Sequence, residues 1–558
     1  MPQTREVKVA ILGGGIGGLS AAHELAERGF DVTVYEASAG AGGKARSTFV
    51  PGTGVTGRRD LPGEHGFRFF PSFYRHLPDT MARIPYRGNP NGVRDNLTAT
   101  SRTRMARLHA PPIDVITRFP STVDDFVQLA RTLALSDFGL PWIDVLHTSA
   151  LFLTLLTTSA ERRLAEHEPR RWWDFIDADR RSPAFRQYFA EIAVRSLVAM
   201  CPRRANTRTI GTIGMQMWID HARPGTHVDR LLDGPTHDVW IAPWLDHLRG
   251  LGVRFHFGAR VVRLGCEGTR ITHAELETAG GPVRVEADHY VGALPVERMR
   301  PLVNDDMKEA DPQLAGLDHL ATEWMTGVQF FLRRPTPVVP GHIVLVDSPW
   351  AVTAVSQAQF WPRTRLADFG DGRVRGVLSA IISNWDVPGT FVGKPARACG
   401  PGEIRAELWA QLVAHLARTG VTLTDHDLVD WTLADSIEFR DGRPHNREPL
   451  FINTAGSWRH RPEALTRIEN LFLAADYVRT HTDIATMESA NEAARRVTNG
   501  ILDASGVPAP ACALWELRPP RVFAELQRLD ARRFRDGAPH LLDVALRRPT
   551  LSPSTATA

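Results

Sequence analysis

The chain has few of the residues and motifs that mark disulfide-rich, zinc-dependent or nucleotide-hydrolysing proteins. Its four cysteines are scattered and form no C-x-x-C pair, which predicts reduced thiols and argues against a disulfide framework. The 21 histidines show no H-E-x-x-H or other zinc spacing, so no metal site is predicted. There is no Walker A motif, and no G-x-S-x-G elbow lies between a strand and a helix.

Long apolar runs and strong net charge are also absent. The longest apolar stretch, Leu146 to Leu156, is too short to span a bilayer and is interrupted by His147. A net charge of +3 in 558 residues gives no nucleic-acid signature. The first predicted strand begins within a few residues of the N-terminus, so we expect no signal peptide and a cytoplasmic protein. The length predicts two or three domains.

The N-terminus carries a complete dinucleotide-binding pattern. Val7 to Leu12 is a short apolar run typical of a buried parallel strand. Glycines 13, 15 and 18 follow, suited to a tight turn, to close approach of a pyrophosphate and to helix–strand packing. A helix is predicted from Ile16 to about Arg28, and a second strand ends at Glu36, where a carboxylate can accept from ribose hydroxyls.

A second glycine pair continues the pattern and identifies a family. Gly42 and Gly43 open the backbone, and Arg46 can pair with a phosphate. With Glu36, this segment resembles the second phosphate-contacting loop of the flavin amine oxidase and carotenoid desaturase superfamily. The resemblance implies FAD as the cofactor. It implies these N-terminal cofactor-binding residues: Gly13, Gly15, Ile16, Gly17, Gly18, Glu36, Ala37, Gly42, Gly43, Lys44 and Arg46.

The segment from Glu64 to Tyr74 is similar to the part of plant- and cyanobacterial-type phytoene and ζ-carotene desaturases that crosses the flavin. Arg68 stands where those enzymes usually have histidine, and Pro71 also departs from their pattern. The resemblance places Gly66, Phe67, Arg68 and Phe69 at the cofactor. Arg68 would then stabilise reduced anionic flavin or bind a substrate acid; a structural salt bridge is the alternative.

Later blocks of the chain extend the resemblance. They imply cofactor contacts at Val261, through its backbone to adenine, and at Ala293, where a buried strand ends. Asp476 would meet the ribityl or pyrophosphate part of FAD. Met487 and Glu488 open a helix whose N-terminus would face the flavin, although most relatives have glycine where Ser489 stands.

The polar loop before that helix supplies the remaining catalytic candidates. Beside Arg68 we single out Tyr477, His481 and Asp483. His481 and Asp483 are an acid–base pair next to the flavin in one interpretation, and caps of the helix at Met487 in the other.

These blocks predict an α/β fold, a Rossmann-type FAD-binding domain with an inserted α+β substrate domain. The FAD-binding domain would use residues 1–86, 230–305 and 441–505. A mostly helical substrate region would occupy 87–229, and a substrate-domain sheet 306–440. The aromatic and methionine positions of the helical region form either core or a hydrophobic tunnel. Residues 506–558 would form a C-terminal helix and a disordered tail.

The leading functional prediction is an FAD-dependent oxidoreductase that desaturates, dehydroxylates or isomerises a large apolar isoprenoid. An amine or amino-acid oxidase is the second hypothesis, but that chemistry often uses a lysine–water pair, and Lys308 and Lys394 are the only lysines after Lys44. A non-catalytic flavin-binding partner of lipid carriers is the third. The expected partners are a lipophilic small molecule and an electron acceptor, oxygen or quinone. The helix around Val522 either docks on the protein or contacts a membrane peripherally.

Overall fold

The computed structural model describes residues 7–196, 198–517 and 519–546, so the tail predicted for 551–558 lies outside the described residues. Within this range the strands are, in chain order, β1 (Lys8–Leu12), β2 (Asp31–Glu36), β3 (Ser47–Val50), β4 (Leu61–Glu64), β5 (Leu97–Ala99), β6 (Arg102–Ala106), β7 (Ile113–Ile116), β8 (Arg230–Leu232), β9 (Arg254–Phe257), β10 (Arg260–Glu267), β11 (Arg270–Thr278), β12 (Gly281–Val285), β13 (His289–Gly292), β14 (Ala321–Glu323), β15 (Thr326–Leu332), β16 (His342–Leu345), β17 (Thr353–Ser356), β18 (Gly376–Ile382), β19 (Leu428–Leu433), β20 (Ile437–Arg440), β21 (Arg443–Asn446), β22 (Leu450–Ile452) and β23 (Leu471–Leu473).

The helices within the described residues are between one and about five turns long. In chain order they are α1 (Ile16–Ala26), α2 (His76–Ala82), α3 (Val123–Leu133), α4 (Trp142–Thr157), α5 (Ala160–Arg162), α6 (Trp172–Phe175), α7 (Pro183–Phe185), α8 (Thr207–Ala222), α9 (Ala242–Gly250), α10 (Val296–Met299), α11 (Asp305–Ala310), α12 (Pro401–Ala417), α13 (Met487–Ser505), α14 (Ala524–Arg535) and α15 (Leu541–Leu546). π-helical turns extend α5 over Arg163–His167 and α7 over Arg186–Ser196.

The first domain is built on a parallel five-stranded sheet in the order β23-β13-β1-β2-β9. Its central strand β1 is buried at four of five positions, as its apolar sequence requires. Helices α1 and α13 pack against each other over this sheet. The strands come from three separated parts of the chain. The predicted fold class, α/β with a Rossmann-type domain and an inserted substrate domain, is confirmed.

The inserted domain contains a seven-stranded sheet in the order β19-β15-β18-β17-β16-β6-β7. Strands β15 and β18 are buried at every position and lie within the segment predicted to form the substrate-domain sheet. The structure differs from prediction at residues 97–116, which were expected to be mostly helical and instead supply β5, β6 and β7. Strand β6 has the polar sequence Arg-Thr-Arg-Met-Ala, which lacks the apolar alternation of a recognisable strand, although it pairs with the nearby β7 as well as with the distant β16.

The aromatic and methionine positions predicted for the helical region differ in burial. Trp172, Trp173 and Met215 are buried in one cluster. Phe152, Met217 and Trp218 are half-buried, and 73% of Trp142 is exposed.

In the described part of the chain, no single helix is long and apolar enough to cross a membrane. Helix α4 and the segment Ala160–His167 reach that length and apolarity only when they are counted together, and the chain bends by 109° between them. The helix predicted near Val522 begins at Ala524 as α14 and docks on the protein: Asp530 accepts from Arg162 Nε at 2.9 Å and from the Ser159 amide at 2.8 Å.

Candidate active site at the junction of the two domains

The turn between β1 and α1 is shaped by close backbone contacts. A Cβ at Gly17 would overlap the carbonyl oxygen of Ala474, and a Cβ at Gly18 would overlap that of Gly13. Neither position therefore accepts even alanine without moving backbone. These two contacts hold the start of α1 against the carboxyl ends of β1 and β23.

The space beside Gly15, in contrast, is open. A Cβ there would have only the Gly43 Cα within 4 Å, at 3.8 Å, so space remains beside the N-terminus of α1, which begins at Ile16. The second loop closes over this turn: Gly42, with a φ of 109°, donates its amide to the Gly14 carbonyl at 2.8 Å. The free amides of α1 thus border a space suited to an anion.

Glu36 ends β2 beside this turn. Its carboxylate accepts from the Gly14 amide at 2.7 Å and from the Ser38 amide at 2.7 Å. Since a carboxylate has about four acceptor sites, both oxygens retain capacity for ribose hydroxyls. Ala37 is exposed next to it.

The two cations of the second loop are paired with acids from distant parts of the chain. Arg46 donates to Glu448 at 2.9 Å and to Asp435 at 3.3 Å, and Lys44 lies 2.7 Å from Glu297. Burial lowers the pKa of Arg46, but the charges of Glu448 and Asp435 raise it overall. The two predicted phosphate ligands are thus held at the loop, and carboxylates neutralise their positive charges.

Replacing Arg46 with alanine is expected to weaken FAD binding about tenfold or more. A hydrogen bond to a charged group contributes about 1.5–3 kcal/mol, and alanine removes the fork that would meet a phosphate. The dissociation constant is measured by titrating apoprotein with FAD. Arg447→Ala, which removes a neighbouring guanidinium that is 46% exposed, is the matched control. Unchanged affinity in Arg46→Ala would assign Arg46 to its pair with Glu448 alone.

The segment from Glu64 to Gly66 crosses from the FAD-binding domain to the substrate sheet. The Glu64 carboxylate accepts from the amide and hydroxyl of Thr236 at 2.7 and 2.8 Å, and its own amide donates to Gln329 of β15 at 2.8 Å. Burial raises the pKa of Glu64. A Cβ at Gly327 would overlap the Gly66 amide, so the segment lies directly on β15.

His65 is buried in this segment with unsatisfied polar atoms. Only 6% of its side chain is exposed, and neither ring nitrogen has a hydrogen-bond partner among the described residues. Burial lowers its pKa to about 3, with the charges of Arg68 and Arg46 adding to the effect, so the ring is neutral near pH 7. A neutral imidazole of this kind can donate to or accept from a bound cofactor.

Arg68 follows the same segment with its side chain 10% exposed. Its guanidinium donates to the carbonyl oxygens of Ala45 and Arg46, each at 3.1 Å, and lies 4.0 Å from Glu64. Burial lowers its pKa. Arg68 and Phe67 also line a small cavity of about 20 Å³ with the side chains of Leu231, Phe360 and Trp361. Arg68 therefore ties the two loops together and borders a small cavity of mixed polarity, which Thr236 and Gln357 also line.

An Asp–His pair stands beside the aromatic side chains of this segment. His342 Nε2, at the start of β16, is 2.5 Å from Asp229 Oδ2, and the Asp229 side chain is 2% exposed. The His342 ring lies 4.7 Å from the ring of Phe67 and 5.7 Å from that of Phe69. The carboxylate lies close enough to the imidazole to stabilise its protonated form, and such a pairing can hold or move one proton.

Burial raises the pKa of the two candidate residues that closely follow β23, Asp476 and Tyr477. Burial raises the pKa of Asp476, Lys44 lowers it by charge, and Glu297 raises it again. Tyr477 is completely buried, its hydroxyl has no hydrogen-bond partner in the described residues, and burial raises its pKa.

The N-terminus of α13 is capped by Thr486, whose Oγ1 accepts from the Ser489 amide at 3.3 Å. Met487 is half-buried at its first position. Glu488 points to another element: its carboxylate accepts the amides of residues 75–77 at 2.7–2.9 Å and thereby caps α2. Within the described contacts, Glu488 is a structural acid.

The structure does not bring His481 and Asp483 together. His481 is exposed, and burial of part of its ring lowers its pKa. Asp483 is 5% exposed and forms an ion pair with Arg461, which is 1% exposed. Neither sequence interpretation describes this arrangement, since Thr486 is the cap and Asp483 neutralises a buried arginine.

Two further predicted contacts lie on the Rossmann framework. The Ala293 amide donates to Leu12 at 2.9 Å, and a Cβ at Gly13 would come within 2.5 Å of the Ala293 carbonyl oxygen. Val261 is half-buried in β10, opposite Leu276 and next to an irregularity in register.

One described histidine–carboxylate group has ligand atoms close enough for a metal: His23, Glu27 and His247. Trp244 Nε1 donates to His23 Nδ1 at 3.0 Å, so the proton of the neutral ring sits on Nε2, 3.0 Å from Glu27. The nitrogen facing Glu27 is therefore a donor rather than a metal ligand.

Sequence reasoning missed four groups that the structure places at this junction: His65, Asp229, Glu297 and His342. His65 lies inside the recognised segment, so its position beside Gly66 was a usable signal. The other three have no local motif, because chain segments far apart in sequence bring them to the site.

Comparison with known proteins identifies the class. Residues 16–502 match the family of flavin-containing amine oxidoreductases, and the chain belongs to this family. It is similar to carotenoid phi-ring synthase of Streptomyces griseus, at 26% identity over 94% of this chain and 92% of that protein. A carotenoid phi-ring synthase of Chlorobaculum tepidum matches at 42% identity, but over only 14% of this chain and 12% of that protein.

Solved structures agree on the fold. A putrescine oxidase matches with a TM-score of 0.61 at 12% identity, over 89% of this chain and 99% of that one. A cyclohexylamine oxidase from Brevibacterium oxydans matches with a TM-score of 0.56 at 13% identity, over 90% and 99%. The comparisons support the wider superfamily and a carotenoid-related homologue, and not a particular closeness to plant or cyanobacterial phytoene desaturases.

The protein is a flavin oxidoreductase, and FAD is its cofactor. The residues present fit that group: open space beside Gly15, free amides at the start of α1 and the unsatisfied ring of His65. The β1–α1 turn and the Gly42 loop would hold the pyrophosphate, and the segment around Gly66 would border the ring.

Proposed function

We propose that this flavoenzyme acts on a large, mostly apolar isoprenoid of the carotenoid type, by desaturation or a related hydride removal or by isomerisation. The observation that carries the proposal is the match to carotenoid phi-ring synthase of Streptomyces griseus along nearly the whole chain. The motif similarity of residues 64–74 to plant-type desaturases points to the same substrate class.

The side chains at the domain junction favour this substrate over an amine. Phe67, Phe69 and Trp361 supply an aromatic, apolar border. The lysine that amine oxidation often uses has no counterpart here: Lys308 lies 3.5 Å from Asp318, and Lys394 lies 2.6 Å from Glu403 near the protein surface. The amine oxidases among the structural neighbours share the fold and carry no substrate assignment to this chain.

We assign the proton transfer of this reaction to His342. Bound FAD supplies a two-electron acceptor for a hydride from one substrate C–H bond. The neighbouring carbon loses its proton to His342, the two carbons form a double bond, and Asp229 stabilises the imidazolium. Because Nε2 faces Asp229, Nδ1 would take this proton, and Phe67 and Phe69 pack against the same ring. Oxygen or a quinone would remove the electrons afterwards.

The substrate class is tested by anaerobic mixing of the purified holoprotein with candidate substrates. If the reaction is desaturation, we expect detergent-solubilised polyene isoprenoids to bleach the oxidised flavin absorbance; if it is isomerisation, the substrate changes without lasting bleaching. Putrescine, cyclohexylamine and amino acids should leave the flavin unchanged. Product analysis by mass spectrometry separates loss of two hydrogens from isomerisation without a mass change. Bleaching by an amine, with no reaction of any isoprenoid, would overturn the proposal in favour of an amine oxidase.

A further inference from the structure

Helix α4 exposes apolar side chains to solvent and buries its charged residue. Trp142, Leu146 and Leu153 lie on its outer face at 73%, 58% and 46% exposure. The only charged residue of the helix, Asp144, is buried on the opposite face, where it accepts from the Ser182 amide at 3.0 Å. An outer face without charge is unusual for a helix in water, and it indicates a surface with an apolar partner.

The apolar surface continues onto the C-terminal helices. Leu153 of α4, Leu526 and Leu529 of α14 and Leu541 of α15 line one cavity of about 150 Å³, and all four are at least 40% exposed. A cavity of that volume accommodates a small ring or a few methylene groups. We call the outer face of α4, together with these leucines, the apolar face.

Within α14 the exposed charges are mainly basic, while the exposed acids nearby are Asp536 after its last residue and Glu161 and Glu166 in and just after the adjacent α5. Helix α14 exposes Arg528, Arg532 and Arg535, with Glu525 as its one exposed acid. Its other acid, Asp530, is buried and neutralised by Arg162. Basic side chains flanking exposed leucines are typical of helices that lie in the interface of an anionic bilayer.

The preceding helix also exposes apolar side chains, alongside the exposed charges of Asp124 and Arg131. Val123, Phe126 and Val127 of α3 are 81%, 55% and 51% exposed and occupy successive turns of one side. Its cap is complete, because Thr122 and Asp125 form a capping box, so the apolar side is exposed on a well-formed helix.

We propose that the apolar face docks the protein on the surface of an anionic lipid bilayer. A second copy of the chain is a poorer occupant, since a two-fold interface would bring the arginines of α14 close to one another. The chain after Leu546 is also poorer, because it begins with Arg547 and Arg548 and contains one leucine. The proposal rests on this surface and not on the proposed substrate.

The test is sedimentation of the full-length holoprotein with vesicles of phosphatidylcholine alone or mixed with phosphatidylglycerol. We expect binding to the mixed vesicles, and about a tenfold or greater loss in the triple variant Trp142→Ser, Leu146→Ser, Leu153→Ser. The double variant Val387→Ser, Phe391→Ser is the matched control, because those side chains are 42% and 55% exposed and do not belong to the apolar face. It should bind as the parent does.

Further variants separate the contributions and the alternative occupants. Arg528→Gln with Arg532→Gln should abolish the preference for phosphatidylglycerol. Retained flavin absorbance and circular dichroism show that each variant is folded. Failure of the parent protein to sediment with the mixed vesicles, or undiminished binding of the triple variant, overturns the proposal. So does a dimer that the triple variant dissociates, or binding that appears only after residues 547–558 are deleted. Because no substrate is used, these outcomes leave the proposed function untouched.

Discussion

Substituting glutamine for His342 is expected to slow flavin reduction by bound substrate about 10²- to 10⁴-fold, the usual range for loss of a positioned general base. Glutamine keeps polarity and approximate volume but cannot take up a proton. The rate is measured in anaerobic single turnovers by stopped flow, with the isoprenoid that reduces the parent enzyme.

Asp229→Asn supplies the matching test of the pair. If Asp229 acts through His342, the two substitutions will be strongly non-additive, and the double variant will react about as slowly as His342→Gln. His415→Gln, which alters a buried histidine of α12 that does not belong to the site, is the control. A His342→Gln protein that reduces its flavin at the parental rate, with FAD affinity retained, would remove His342 from the mechanism.

The Rossmann-type elements were predictable because their signals are local. An apolar run, glycines at fixed spacing and an amphipathic helix lie within 36 residues, and β1, α1 and β2 appear where that pattern predicts them. Gly17 and Gly18 show why the spacing is strict, since both are crowded by backbone carbonyls. Where local signals agree in this way, the local structure can be predicted from the sequence.

The residues that complete the site were not predictable in the same way. Arg46 and Glu448 are separated by 402 residues, and no periodicity relates them. The partners Asp229 and His342 lie in different elements, one before β8 and the other on β16, and no local pattern in the sequence marks either of them. Such pairs arise from domain packing, so a family motif marks one partner at most.

His481 and Asp483 show that proximity in sequence can also lead to a wrong functional pairing. Two polar residues close in sequence invite a functional pairing, yet the backbone turns between them, with Asp483 at a φ of 48°. One side chain consequently faces solvent and the other a buried guanidinium. Distance along the chain did not predict distance between the functional groups.

Replacing Asp483 with alanine is therefore expected to destabilise the protein by about 3–5 kcal/mol, because it leaves the buried guanidinium of Arg461 without its counter-charge. Burial already lowers the pKa of Arg461, and its remaining hydrogen bonds go to the carbonyl oxygens of Tyr477 and Val478. His481→Ala changes an exposed side chain and should alter stability by less than about 0.5 kcal/mol.

The two variants are compared by chemical denaturation of the holoprotein, followed by circular dichroism and by release of flavin. The double variant Arg461→Met, Asp483→Leu removes both charges and should recover much of the lost stability, as replacement of a buried ion pair by apolar groups of similar volume often does. A stable Asp483→Ala protein with impaired flavin reduction, accompanied by the same impairment in His481→Ala, would instead restore the acid–base interpretation. The structure favours the first outcome, because the Asp483 carboxylate is already occupied by Arg461 and by the hydroxyl of Thr209, which donates to it at 3.2 Å.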